Sequence, residues 1–155
     1  MYTATVQITI NQFAPISGQG PNIAATLAPP NNTSPTPPPP GPPVFSVNGD
    51  LITICVAQSY VGAVQLTFQL PDPNYVLLGI AVDPTGTPSG TSVGRQQFRT
   101  ITVNRDPTGS QLTVTDACLG DFNTIDFEYV ILVQQVATGA IGIIDPGIDN
   151  ETNEN

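Results

Sequence analysis

The chain has 155 residues, a net charge of −9, no His and no Lys, with three Arg set against twelve Asp and Glu. That length suits one domain, and the charge repels both nucleic-acid phosphates and anionic lipid headgroups, so neither is an expected partner. Without His or Lys, imidazole acid–base catalysis and amine chemistry are excluded. No run approaches the roughly 18 apolar residues of a membrane span, and Met1-Tyr2-Thr3-Ala4-Thr5 has neither the basic nor the apolar region of a signal peptide. The expectation is a soluble, cytoplasmic protein.

The first segment alternates: Tyr2, Ala4, Val6, Ile8 and Ile10 fall on one face, and Thr3, Thr5, Gln7, Thr9 and Asn11 on the other. This is the period of a strand with one buried face. Gln12 to Pro43 shows no period, and nine of the seventeen prolines lie between residues 28 and 43. Proline fixes φ and gives no ladder donor, so residues 28–43 are expected to form an extended connector outside the sheet. The first charged residue of the chain is Asp50.

Val44–Val47 and Leu51–Val56 flank Asn48-Gly49-Asp50, and Asn-Gly supplies the positive φ of a tight hairpin. Val64, Leu66, Phe68 and Leu70 alternate with polar residues, whereas Tyr75–Val82 is nearly continuous apolar, the pattern of a strand buried on both faces. Further strands are expected at Phe98–Val103, Gln111–Thr115, Ile125–Val136 and, past the turn at Thr138-Gly139, Ala140–Ile144. Asp-Pro turns at Asp72, Asp83, Asp106 and Asp145 mark strand exits, since Asp accepts from turn amides and Pro presets the next φ. Residues 145–155 read as an acidic, flexible tail. About eight or nine short strands with no helical period give an all-β fold, a single β-sandwich of Ig-like or jelly-roll topology over residues 1–155.

Few residues carry chemistry. Cys55 and Cys118 have an immunoglobulin-like separation, but there is no Trp to pack on a bridge and Asp116, not Tyr, stands two residues before the second Cys. They are expected to be free, buried thiols. Asp126 and Glu128 share one face of a strand, a spacing that could serve a glycosidic bond, yet the same spacing marks the solvent side of a half-buried strand. Oxygen-rich groups at Asp116, Asp121 and Asn123, and at Asp145, Asp149, Asn150 and Glu151, offer calcium-type ligands without the EF-hand spacing. Turn chemistry and a solvated terminus explain them, so no metal, no cofactor and no catalytic residue is expected. Pro35-Thr36-Pro37-Pro38 matches PxxP but lacks a flanking Arg, and so reads as a spacer. Asn31-Asn32-Thr33-Ser34 and Asn150-Glu151-Thr152 match the glycosylation pattern, which means little without export.

The closing stretch, Tyr129-Val130-Ile131-Leu132-Val133, then Thr138-Gly139, then Ile144-Asp145-Pro146-Gly147-Ile148-Asp149-Asn150-Glu151, resembles the C-terminal signature of the small bacterial proteins called the DP-EP family. The resemblance covers the last quarter of the chain, which has no Glu-Pro. It implies a compact bacterial β-domain and carries over no site residues.

These features point to a non-enzymatic β-sandwich serving protein interaction or assembly, with a homo-oligomer formed through pairing or exchange of the N-terminal strand. The alternative is a module for carbohydrate or another ligand. Sugar platforms favour Trp and Tyr, and here only Tyr2, Tyr60, Tyr75 and Tyr129 could serve. Thiol titration of the denatured, unreduced protein is expected to find both cysteines free; recovery of none would place the chain in an oxidising compartment.

Overall fold

The computed structural model describes residues 2–14, 23–33, 45–49, 51–57, 63–84, 98–106, 109–116, 125–145 and 147–153, and among them every regular element is a strand. The strands are β1 (Tyr2–Phe13), β2 (Ile23–Thr33), β3 (Phe45–Asn48), β4 (Leu51–Ala57), β5 (Val64–Leu70) and β6 (Tyr75–Pro84), followed by β7 (Phe98–Asp106), β8 (Gly109–Asp116), β9 (Ile125–Gln135), β10 (Ile141–Ile144) and β11 (Gly147–Asn153). The first sheet has the order β2-β1-β5-β8-β7, and the second runs β10-β9-β11-β4-β3 with β6 also on β9. No helix among the described residues is long and apolar enough to cross a membrane.

Alternation in the sequence becomes one buried face. Val64, Leu66, Phe68 and Leu70 of β5 are buried, and so are Ala4, Val6 and Ile8 of β1 beside them. β1 runs parallel to β5, pairing Ala4 with Leu66 and Val6 with Phe68, while β8 runs antiparallel on the other flank, pairing Leu112 with Phe68. From the second sheet, Ile52, Ile54, Leu77, Tyr129, Ile131 and Val133 join the same core. Phe68 and Tyr129 meet across it with ring centroids 5.6 Å apart. On the polar face, the register partners Thr67 and Thr113 hydrogen-bond through their hydroxyls at 3.2 Å.

Two strands were not foreseen. Residues 28–33, expected to lie in a connector outside the sheet, belong to β2, which pairs antiparallel with β1 from Phe13↔Ile23 to Thr3↔Thr33. The reason is the position of the prolines. Pro29 and Pro30 fall where the register slips between Thr5↔Asn31 and Gln7↔Ala28, on a strand at the sheet edge, and edges and bulges are where a strand tolerates a missing donor. Residues 34–44 lie outside the described part.

The second is β11, in the segment expected to be a flexible acidic tail. β10 pairs with the C-terminal half of β9 and β11 with its N-terminal half, and Ile144↔Ile131 and Gly147↔Glu128 share one register. The two are therefore one line of chain interrupted at Asp145-Pro146, where proline cannot donate. β11 then forms a parallel ladder with β4, from Gly147↔Leu51 to Asn153↔Ala57, and so fills the interior of its sheet. Polar residues mislead here because interior position depends on backbone pairing more than on side-chain apolarity.

β6 also departs from expectation. Of the described side chains in its apolar run only Leu77 is buried; Tyr75, Val76, Leu78 and Ile80 are half-buried and Ala81 is exposed. β6 pairs with β9 alone, with an irregularity between Leu77 and Gly79. The Leu77 amide donates instead to the buried Ser110 hydroxyl of β8 at 2.8 Å, joining the two sheets.

Two glycines answer to geometry. Gly49 has φ 67 and, with Asn48 paired to Leu51, it is the first residue of a two-residue loop, the position where hairpin turns need positive φ. The turn is thus centred one residue later than Asn48-Gly49. Gly109 has φ 149, and a Cβ there would collide with the Leu70 carbonyl oxygen and lie 2.9 Å from the Pro71 Cα. Gly109→Ala is expected to cost more than about 2 kcal/mol, and Ser110→Ala about 1–3 kcal/mol because the Leu77 amide is left buried. Gly79→Ala, with nothing within 4 Å, is the control and should be close to neutral. Denaturant melts of the three variants check this; a neutral Gly109→Ala would contradict the close approach.

Candidate interaction surfaces

Among the residues that could carry chemistry, the ladder between β9 and β11 brings Asp126 and Asp149 opposite each other. Asp116 ends β8 fully buried, while Asp121, Asn123 and Cys118 lie outside the described part. Asp126 and Glu128 stand on β9, and Asp149 is the register partner of Asp126 as Gly147 is of Glu128. Cys55, on β4, pairs by register with Glu151. Among the described residues no three His, Cys, Asp or Glu are grouped so as to hold a metal ion. The PxxP residues, Pro35 to Pro38, fall outside the described part.

Two of the four tyrosines can be placed, and both are used in packing. Tyr129 is buried against Phe68, and half-buried Tyr75 lies against Phe13 with centroids 5.4 Å apart. The Phe13–Tyr75 contact belongs to a corner where the sheets approach closely. Gly142 of β10 is buried there, and a Cβ on it would come within 2.6 Å of the Ile23 side chain. Beside it, Asp72 caps the crossing from β5 to β6 by accepting from the Asn74 amide at 2.9 Å, and the Asn74 carbonyl accepts from the Val136 amide at 2.8 Å. Gln135 and Thr138 close the β9–β10 turn through a 2.8 Å side-chain bond. Among the described residues these bonds and the ring contact hold the corner together.

What remains exposed is sheet edge. An unpaired edge invites a further strand, and natural sheets guard against this with prolines, bulges, short strands, charges or coverage. β2 has Pro29, Pro30 and register slips; β3 has four residues; β6 gives its Leu77 amide to Ser110. β7 lacks these devices over most of its nine residues. It pairs with β8 alone, and Thr100, Ile101, Thr102, Asn104 and Arg105 are all exposed, Ile101 by 47%. Its register with β8 shifts between Phe98 and Thr100, and Arg105 is exposed near its other end. The clustering of all three Arg within residues 95–105 is visible in the sequence; that Arg105 lies on an end strand of its sheet is not, because strand order sets it.

The N-terminal strand is not an edge. β1 has β5 on one side and β2 on the other, so pairing with another molecule would require a neighbour to leave. The hairpin β1–β2 is itself held to its sheet by one ladder, β1 to β5. Compared with protein-family models, with curated proteins and with solved structures, the chain matches none.

Proposed function

We propose that this protein is a non-enzymatic assembly module, a β-sandwich of Ig-like connectivity that associates with a second copy by exchanging its β1–β2 hairpin. The sandwich reading is supported by the shared core, by the Phe68–Tyr129 contact and by a chain that passes between the sheets after β2, β4, β5, β6 and β8. The lack of His and Lys supports a role without catalysis.

The observation that carries the assembly reading is that, among the described residues, one parallel ladder, β1 to β5, is the strand pairing that joins the hairpin to the rest. Residues 1–33 contain no charge, and the segment after them, residues 34–44, has seven prolines. Proline-rich chain extends by about 3.1 Å per residue, so this connector spans roughly 30 Å. It can return the hairpin to its own β5 or deliver it to the β5 of a neighbour. Strand contacts are the same in both forms and only the hinge differs, which makes exchange a low-cost route to a dimer. A neutral hairpin also adds no repulsion between two copies that each carry −9. The carbohydrate alternative has less support, since Tyr75 and Tyr129 are engaged in packing.

Register supplies the test. Gln7 and Gln69 are partners across the β1–β5 ladder, and partner positions lie within disulfide reach. Gln7→Cys with Gln69→Cys, in a background of Cys55→Ser and Cys118→Ser, is oxidised at high protein concentration and run without reductant. Exchange predicts a covalent dimer linked at these positions. A bridge found only within single chains at every concentration would contradict it.

A further inference from the structure

We infer that the outward face of the first sheet is a binding site for a neutral, extended polysaccharide chain laid across its strands. The inference is independent of hairpin exchange, because β1 keeps the same ladder with a β5 in either form. Register brings like residues into rows. Thr5, Thr67, Thr113 and Thr102 follow one another across β1, β5, β8 and β7, and beside them run Gln7, Gln69, Gln111 and Asn104. A third row, from Thr3 to Thr100 through Gln65 and Thr115, lies on the other side of the threonines. These side chains point away from the core, since the residues between them in β1, β5 and β8 are buried. None is itself buried: Gln7, Thr100, Thr102 and Asn104 are exposed and the others half-buried. The hydroxyls of Thr67 and Thr113 at the centre are joined at 3.2 Å.

Chemistry selects the occupant. The rows hold only hydroxyls and amides, in a chain of net charge −9. An anionic polymer is repelled by that charge, and a cationic one finds no carboxylate in the rows to pair with. A protein partner wants an apolar centre. Of the exposed large hydrophobics among the described residues, Ile101 alternates onto the opposite face of β7, and Val136 and Ile141 flank the β9–β10 turn. Hydroxyls and primary amides both donate and accept, as the hydroxyls of a neutral sugar do. Spacing adds shape. Neighbouring strands lie about 4.8 Å apart, and alternate residues along a strand about 6.6 Å. An extended β-linked chain of hexoses advances by nearly the first of these lengths per ring. One ring therefore sits over each strand, along the threonine row, with the longer amide side chains at its edge. Adjacent strands are rotated by about 20–25°, a twist that a single chain follows and a flat crystal surface does not. No aromatic residue stands in the rows, so hydrogen bonds carry the contact.

The probes are cellobiose and cellotetraose, with maltotetraose as the coiled counterpart and tetragalacturonate as the anionic one. Amide spectra of the full chain should show cellotetraose shifts concentrated on β1, β5, β8 and β7. Cellotetraose, which reaches four strands where cellobiose reaches two, should bind at least about fivefold more tightly than cellobiose. Maltotetraose and tetragalacturonate should each bind at least about fivefold more weakly than cellotetraose. Thr67→Val with Thr113→Val removes both central hydroxyls, leaves neither partner unpaired and keeps the β-branched shape. The pair should weaken cellotetraose at least about fivefold, with an otherwise unchanged spectrum showing that the variant is folded. Four results would overturn the proposal: no shifts at millimolar cellotetraose, shifts confined to the second sheet, equal binding of the four sugars, or a folded variant that binds like the wild type. Shifts of the same amides with protein concentration alone would also overturn it, since the face would then be taken by a second copy.

Discussion

Phe68 sits where four strands meet. In its own sheet it has Val6 of β1 and Leu112 of β8 as register partners, and from the other sheet the Tyr129 ring lies against it at 5.6 Å. The residues on either side repeat the arrangement, with Leu66 between Ala4 and Val114. Removing a buried aromatic ring costs about 3–5 kcal/mol, a large part of the roughly 5–15 kcal/mol that holds a domain together. β5 thereby ties β1, β8 and the second sheet to a single row of side chains, and the rest of the first sheet is placed through it.

The same dependence explains why the chain ends matter. Both terminal strands lie inside sheets and both pair in parallel, β1 with β5 and β11 with β4. Parallel pairing needs a long connection, so these ladders close late in folding, after the local hairpins β3–β4 and β7–β8 have formed. β11 is the only strand that pairs β4 to the remainder of its sheet, just as β1 alone joins β2 to its own. Late closure and single attachment are the features on which the proposed exchange of the N-terminal unit rests. Among the described edges, β2 carries Pro29, Pro30 and register slips, β3 is short, and β7 has a register shift near its start.

Much of this is legible in the sequence where one rule acts by itself. The alternation of β1 and β5, the turn at Gly49 and the Asp-Pro exits gave the strands and their buried faces, because period two and turn stereochemistry are local. The misreadings occur where tertiary position overrides composition. Pro29 and Pro30 argue against a strand until the strand is seen to be an edge with a bulge at that place. Asp149, Asn150 and Glu151 read as a solvated tail, yet Asp149 and Asn150 are paired on both sides and Glu151 pairs with Cys55. Tyr75–Val82 looks doubly buried, but β6 has only one strand neighbour. That Arg105 stands on an end strand needed the order of the sheet.

Native-state hydrogen exchange of the full chain tests the central claim most directly, that the β1–β2 hairpin is a unit docked on β5 through one ladder. The account predicts that amides of β1 and β2 exchange through a subglobal opening, at lower free energy than amides in the β5–β8 and β6–β9 ladders, which should exchange only on global unfolding. A common opening free energy for all of these strands would contradict it.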